Sequence, residues 1–214
     1  MKRWQIVALV VVGLLIAGYV YFYRGGFGAG GGTRSGPAAG TSVDEENGRP
    51  AQITWKTVNR PDDGFKVDMP ADPRDLQVPA YNEMGGSEPV KMLYSNPDGD
   101  TTFAVTWEDN PPVARVNRDS PEKTLDQARD GMLGLTQTTP VHEENVTVSG
   151  YPGRDLTAKN SGGGYLDARL IFSNDRLYTL MAVYPSISSR REQDVIRFYN
   201  SFTILRAPAA GTKG

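Results

Sequence analysis

The chain has 214 residues, 23 Lys and Arg against 25 Asp and Glu, and a formal net charge of −2. So even a balance supplies no field for nucleic acid, and the absence of cysteine excludes disulfides, thiolate metal sites and a cysteine nucleophile together.

Lys2-Arg3 opens the chain and is followed by an uncharged apolar run over residues 4–23, then Arg24 and the glycine-rich stretch 25–32. A bilayer core about 30 Å thick needs about 20 apolar helical residues to cross it, so residues 4–23 are predicted to lie in the membrane. The run ends on Tyr19-Val20-Tyr21-Phe22-Tyr23, where a signal peptidase needs small residues and an interfacial anchor needs aromatic ones. Residues 1–24 are therefore expected to be a cytoplasmic stub and an uncleaved signal anchor, a later cut at Ala29 or Ala38 being the alternative. Lys2, Arg3 and the terminal amine outweigh Arg24, which places the N-terminus in the cytoplasm and the rest of the chain outside the cell membrane.

Residues 25–50 carry little that is large and apolar after Phe27 and are expected to be a flexible linker, with an r.m.s. reach of roughly 25 to 30 Å. One domain is predicted over 51–206, long enough to bury a core without staples, and a disordered tail over 207–214.

Within the domain, period-two alternation separated by turn chemistry predicts strands. Residues 53–58 form the first. After Pro61-Asp62-Asp63-Gly64, the next puts Phe65, Val67 and Met69 on one face and stops at Pro70. Residues 90–95 and 101–109 flank Asn96-Pro97-Asp98-Gly99-Asp100 as a hairpin, with Phe103, Val105 and Trp107 sharing a face. Ser120-Pro121-Glu122 is a helix start, followed by the stripe Leu125, Ala128, Met132 and Leu135, with Gly131 and Gly134 weakening the last turn. Strands resume at 145–148 and 154–159 around Gly150-Tyr151-Pro152-Gly153, and Ser161-Gly162-Gly163-Gly164 reverses the chain again. Residues 165–173 set Leu166, Ala168, Leu170 and Phe172 on one face, with Asp167 and Arg169 on the other. They pair through Asn174-Asp175 with 177–184, which is apolar on both faces and so central in the sheet. A serine cap at Ser188 or Ser189 opens a last helix with the stripe Val195, Phe198, Tyr199 and Phe202. The order of elements defines an α+β fold, an antiparallel sheet flanked by helices.

Four stretches, Asp63-Gly64-Phe65-Lys66-Val67-Asp68-Met69-Pro70, Gly150-Tyr151-Pro152-Gly153-Arg154, Asn174-Asp175-Arg176-Leu177-Tyr178 and Phe198-Tyr199-Asn200-Ser201-Phe202, resemble the PsbP-like superfamily over most of 53–206. That superfamily includes lumenal extrinsic subunits of photosystem II, Mog-type Ran-binding proteins and many bacterial envelope proteins of unknown function. The resemblance is closer to the uncharacterised membrane-anchored bacterial branch, and it implies an antiparallel sheet with helices and a non-catalytic binding or assembly role. The anchor and glycine tether depart from the photosynthetic members, no segment matches their metal or docking residues, and no functional residue is carried over.

No catalytic, cofactor-binding or metal-ligating residue is predicted. His142, the one histidine, lies in His142-Glu143-Glu144 without the further ligands that zinc or acid-base chemistry needs, and reads as a solvated strand edge or loop. Asp98-Gly99-Asp100 lacks the remaining oxygens of a calcium loop, and Ser161-Gly162-Gly163-Gly164 lacks the lysine and helix of a phosphate loop. Asn145-Val146-Thr147 matches a glycosylation acceptor only in a secretory setting. Ser201, Asp194 and His142 have no nucleophile elbow, and Ser201 is expected to pack at a helix end. Arg190-Arg191, at a helix start where the dipole disfavours cations, hints at an anionic contact, with a solvated surface as the default reading. Two stretches predicted as irregular loops, 71–89 and 110–119, are the expected binding elements, through Tyr81, Met84 and Arg115. The function expected is a single-pass, extracytoplasmic binding or assembly module with an envelope protein partner. The alternatives are a small-ligand or lipid carrier, its pocket lined by Trp107, Met132 and Phe172, and a hydrolase using His142.

Overall fold

Turn chemistry sets the order of the strands. In the computed structural model, which describes residues 53–81, 87–117 and 120–205, β1 (Trp55–Arg60) and β2 (Phe65–Pro70) are joined by a turn in which the Gly64 amide donates to the Pro61 carbonyl at 3.1 Å. Gly64 sits at φ +75°, and a Cβ there would meet the Tyr178 hydroxyl at 2.8 Å, so only glycine fits. The predicted membrane segment, the linker, Met84 and the tail lie outside the described residues. Among the described residues no helix is long and apolar enough to cross a membrane.

Seven strands form the main antiparallel sheet: β3 (Arg74–Tyr81), β4 (Ser87–Ser95), β5 (Thr102–Asp109), β6 (Thr138–Val148), β7 (Tyr151–Asn160), β8 (Tyr165–Ser173) and β9 (Arg176–Tyr184). Their order is β3-β4-β5-β9-β8-β7-β6, which puts β9 at the centre, as its two apolar faces require. The β8–β9 hairpin turns through Asn174 (φ 48°) and Asp175 (φ 62°), and the β6–β7 hairpin through Ser149 (φ 52°) and Gly150 (φ 86°). Two positive φ angles in succession twist a two-residue turn the way the strands twist.

A smaller sheet, order β1-β2-β10, is completed by β10 (Thr203–Ile204). The single predicted sheet is thus two. Phe65, Val67 and Met69 are each fully buried, and they pack as a layer on Leu93, Phe103 and Trp107 of the main sheet instead of extending it. Helix α3 (Glu192–Ser201) lies in the same layer as the small sheet. On the opposite face of the main sheet, α2 (Pro121–Thr136) buries Leu125 and Met132 against Met92, Leu156, Leu166 and Met181.

Both predicted loops contain regular structure. Residues 71–89 hold β3 and the start of β4, paired from Arg74↔Tyr94 to Tyr81↔Ser87. Pro79 and Pro89 hid the alternation, and they face one another where no third strand needs their missing N–H: β3 is an edge, and the β4–β5 pairing starts only at Lys91↔Trp107. Residues 110–119 hold α1 (Pro112–Val116), capped by Pro111 with Pro112 in its first turn, where a missing amide costs nothing. The strand predicted at 145–148 begins at Thr138, because on this edge strand His142 and Glu144 face solvent and Glu143 turns to Arg129 and Arg154, so no apolar alternation marks it. The predicted serine cap is corrected too. Ser186, Ser188 and Ser189 bond one another in a 3-10 turn, and Arg191 caps α3.

Candidate functional site

On the α3 side of β6, β7 and β8, the side chains change from apolar to charged along the strands. The row Val146–Gly153–Ile171 belongs to the core. Gly153 is required there, since a Cβ would lie 2.8 Å from the Leu170 carbonyl oxygen. Two residues further along, the rows become Glu144–Asp155–Arg169 and then His142–Thr157–Asp167. Beneath α3 these rows form a cleft of about 230 Å³, walled by Val195, Ile196, Tyr199 and Asn200, with Arg190 at one end.

Its deep charges are committed to each other. Arg169 donates from Nε and Nη2 to the two carboxylate oxygens of Asp155, at 2.7 and 2.6 Å, and from Nη1 to the Tyr199 carbonyl at 3.2 Å. Its guanidinium also lies 4.8 Å from the Tyr199 ring centroid. Burial alone would lower the Arg169 pKa, and the bond to Asp155 overrides it, holding the group above its ordinary value. Asp167 accepts from Thr157 Oγ1 at 2.6 Å and from Arg190 Nε at 2.7 Å. The anionic contact expected of Arg190-Arg191 is therefore internal, Arg191 pairing with Asp194.

One phenol, Tyr199, completes the cleft's inner wall, and a second, Tyr184, lies by Asp167. The Tyr199 hydroxyl is buried with no hydrogen-bond partner among the described residues, and the Tyr184 hydroxyl is buried beside Asp167 and Arg190; Asp167 acts on both phenols and Asp155 on Tyr199. Burial first, and then these carboxylates, push both phenols far above their ordinary pKa, so they stay protonated. At the mouth, on the edge strand, His142 and Glu144 are exposed.

Among the described residues no cluster of three or more His, Asp or Glu is placed to hold a metal ion. Asp98 accepts the amides of Asp100 and Thr101 at 3.0 and 2.7 Å, which is turn chemistry, and Asn160 Oδ1 takes the Gly164 amide at 2.9 Å in the other reversal. Ser201 donates to the Phe198 carbonyl and accepts the Asp68 amide, both at 2.8 Å, so it bridges α3 to β2. Neither Ser201 nor Asp194 lines the cleft that holds His142. The three residues expected to line a carrier pocket are also separated. Trp107 belongs to the cluster under the small sheet, and Met132 and Phe172 to the cluster under α2, across the sheet.

Of the predicted binding residues, Tyr81 ends β3, and Arg115 lies on α1, exposed, its Nε donating to the Asn110 carbonyl at 2.8 Å. The β4–β5 register brings these two to the same end of the sheet, β3 at one edge and the cleft at the other. Met84 lies outside the described residues. Asp155, Asp167, Arg169 and Tyr199 were not singled out as a site. The legible signal was Asp167 and Arg169 standing in an otherwise apolar strand.

The stretches that carried the family resemblance meet elsewhere, as architecture. Asp63 Oδ1 accepts from Trp107 Nε1 at 2.9 Å and from Lys91 Nζ at 3.1 Å, and its carbonyl accepts from Tyr178 Oη at 3.1 Å. Phe65 packs against Trp107, Tyr178 and Phe202.

With two antiparallel sheets, α2 on one side and α3 with the small sheet on the other, the fold is PsbP-like. The chain is similar to cyanobacterial PsbP (CyanoP) from Synechocystis sp. PCC 6803, at 11% identity and a TM-score of 0.50, over 72% of this chain and 94% of that one. It also aligns with a protein of unknown function from Pseudomonas aeruginosa at 10% identity and a TM-score of 0.35, over 68% of this chain and 91% of that one. No family model and no curated protein matches the sequence.

Proposed function

We propose that the chain is a single-pass membrane protein whose PsbP-like domain is held outside the cell membrane on a glycine-rich tether and serves as a binding or assembly module for an envelope protein, without catalysis of its own. The observation that carries this reading is the pairing of the cleft's deep charges: Asp155 with Arg169, and Asp167 with Thr157 and Arg190, leave recognition groups at the rim and a rigid floor behind them. A catalytic carboxylate or imidazole needs a pKa tuned to its task and a reacting partner within reach, and these carboxylates are neutralised by arginine. The apolar run at 4–23 and the charge balance around it support the anchor and its orientation.

The test is in-cell crosslinking of the full-length protein followed by mass spectrometry, beside a secreted variant lacking residues 1–24. One dominant envelope partner, enriched with the anchored form, is the expected result. Recovery of the anchored form in the soluble cytoplasmic fraction, or no enriched partner with either form, would overturn the reading.

A further inference from the structure

The main sheet ends on β6, which among the described residues pairs on one side only, with β7. Its other side presents backbone donors and acceptors to a further strand. The remaining edge, β3, is interrupted by Pro79, whereas the only proline of β6, Pro140, lies beyond the register break that separates it from His142. From His142 to Val148 the edge is continuous.

Charge decides what can lie there. Across the register, Glu144 stands directly opposite Asp155, a like-charge pair that costs energy on a sheet face. Asp155 takes both nitrogens of the Arg169 fork, whereas Glu144, which feels that guanidinium only at longer range, makes no ion pair of its own among the described residues. A strand added along β6 would set its residue opposite Glu144 on the cleft face, Cβ to Cβ about 5 Å away. An acidic or apolar residue in that position would trap an uncompensated carboxylate, and a basic one would complete the row. Beside it the cleft offers Ile196, 42% exposed, for an aliphatic stem, with Asn200 for the head group.

From this we infer that the free edge of β6, between His142 and Val148, takes an extended segment of a partner protein as an eighth strand, with a lysine or arginine of that segment seated over Glu144 in the cleft. The inference rests on the binding-module reading and adds the chemistry of the partner. Main-chain pairing holds the segment, and Glu144 selects its charge.

The chain's single histidine lies in this cleft, so its imidazole resonance reports on the site alone. The experiment titrates the full-length protein in detergent micelles with a seven-residue peptide of alternating threonine and valine around a central lysine. The comparison peptides carry glutamate at the centre, or lysine with alternate amides N-methylated. Saturable displacement of the His142 signal by the lysine peptide is expected, with at least tenfold weaker binding of the glutamate peptide and none of the N-methylated one. Glu144→Gln, an exposed change that leaves the core intact, is expected to weaken the lysine peptide about tenfold. Equal binding of the lysine and glutamate peptides, unchanged affinity in Glu144→Gln, undiminished binding of the N-methylated peptide, or no response to any peptide would each overturn the inference. A crosslinked envelope partner engaged through another surface would remove this inference and leave the binding-module reading in place.

Discussion

Single side chains in this protein divide into those that hold the backbone and those that hold charge. Gly64 is of the first kind: its positive φ and the Tyr178 hydroxyl 2.8 Å from a would-be Cβ mean that Gly64→Ala should cost about 1–3 kcal/mol in urea unfolding. Tyr199 tests the second kind. Its buried hydroxyl has no partner among the described residues, so Tyr199→Phe should leave stability unchanged or raise it by up to about 1 kcal/mol, and a loss would reveal a hidden bond. Glu143 supplies a pH dependence. Burial raises its pKa, but bonds from Arg129 (2.6 Å) and Arg154 (3.0 Å) outweigh that and leave it below the ordinary glutamate value. A depressed folded pKa means that the unfolded chain takes up the proton first. The stabilisation is therefore complete above the ordinary glutamate pKa of about 4.3 and is lost as the pH falls through the lower folded value. Denaturation midpoints of Glu143→Gln should accordingly fall less steeply on the acid side than those of the parent protein.

Among the elements, β2 joins the two sheets. Phe65 lies 5.0 Å from the Trp107 ring, 5.6 Å from Phe202 and 6.0 Å from Tyr178, centroid to centroid, so one residue touches the main sheet and the segment that follows α3. Phe65→Ala should cost about 3–5 kcal/mol, measured by chemical denaturation, because no neighbour can collapse into that site without releasing another layer. Helix α2 is held differently, by a ring of charge over its apolar stripe. Arg154, almost wholly buried, reaches Asp126 at 2.5 Å and Glu122 at 3.1 Å on the helix and Glu143 on β6.

For the molecule as a whole, the small sheet and α3 share one cluster with the face of the main sheet beneath them, and that cluster includes Trp107. Tryptophan fluorescence and far-ultraviolet circular dichroism should therefore report coincident unfolding transitions, and separated midpoints would mean that the small sheet melts alone. Much of this architecture was legible locally. Asn174-Asp175, Asn96 to Asp100 and Ser161 to Gly164 announced their hairpins because turn residues act through their own backbone, and the alternation of Phe65, Val67 and Met69 announced a buried face. Local pattern could also place 177–184 at the centre, since apolar residues on both faces need cover on both. What it could not say was which strands share a sheet. Pairing is a contact between residues far apart in the chain, so the separation of β1, β2 and β10 from the main sheet, and the strands inside 71–89, came only with the tertiary structure. The cleft has the same origin. Glu144, Asp155 and Arg169 are ordinary polar residues of three strands until the register sets them in one row under α3, and the charge left over at its edge belongs to that row and to none of its members alone.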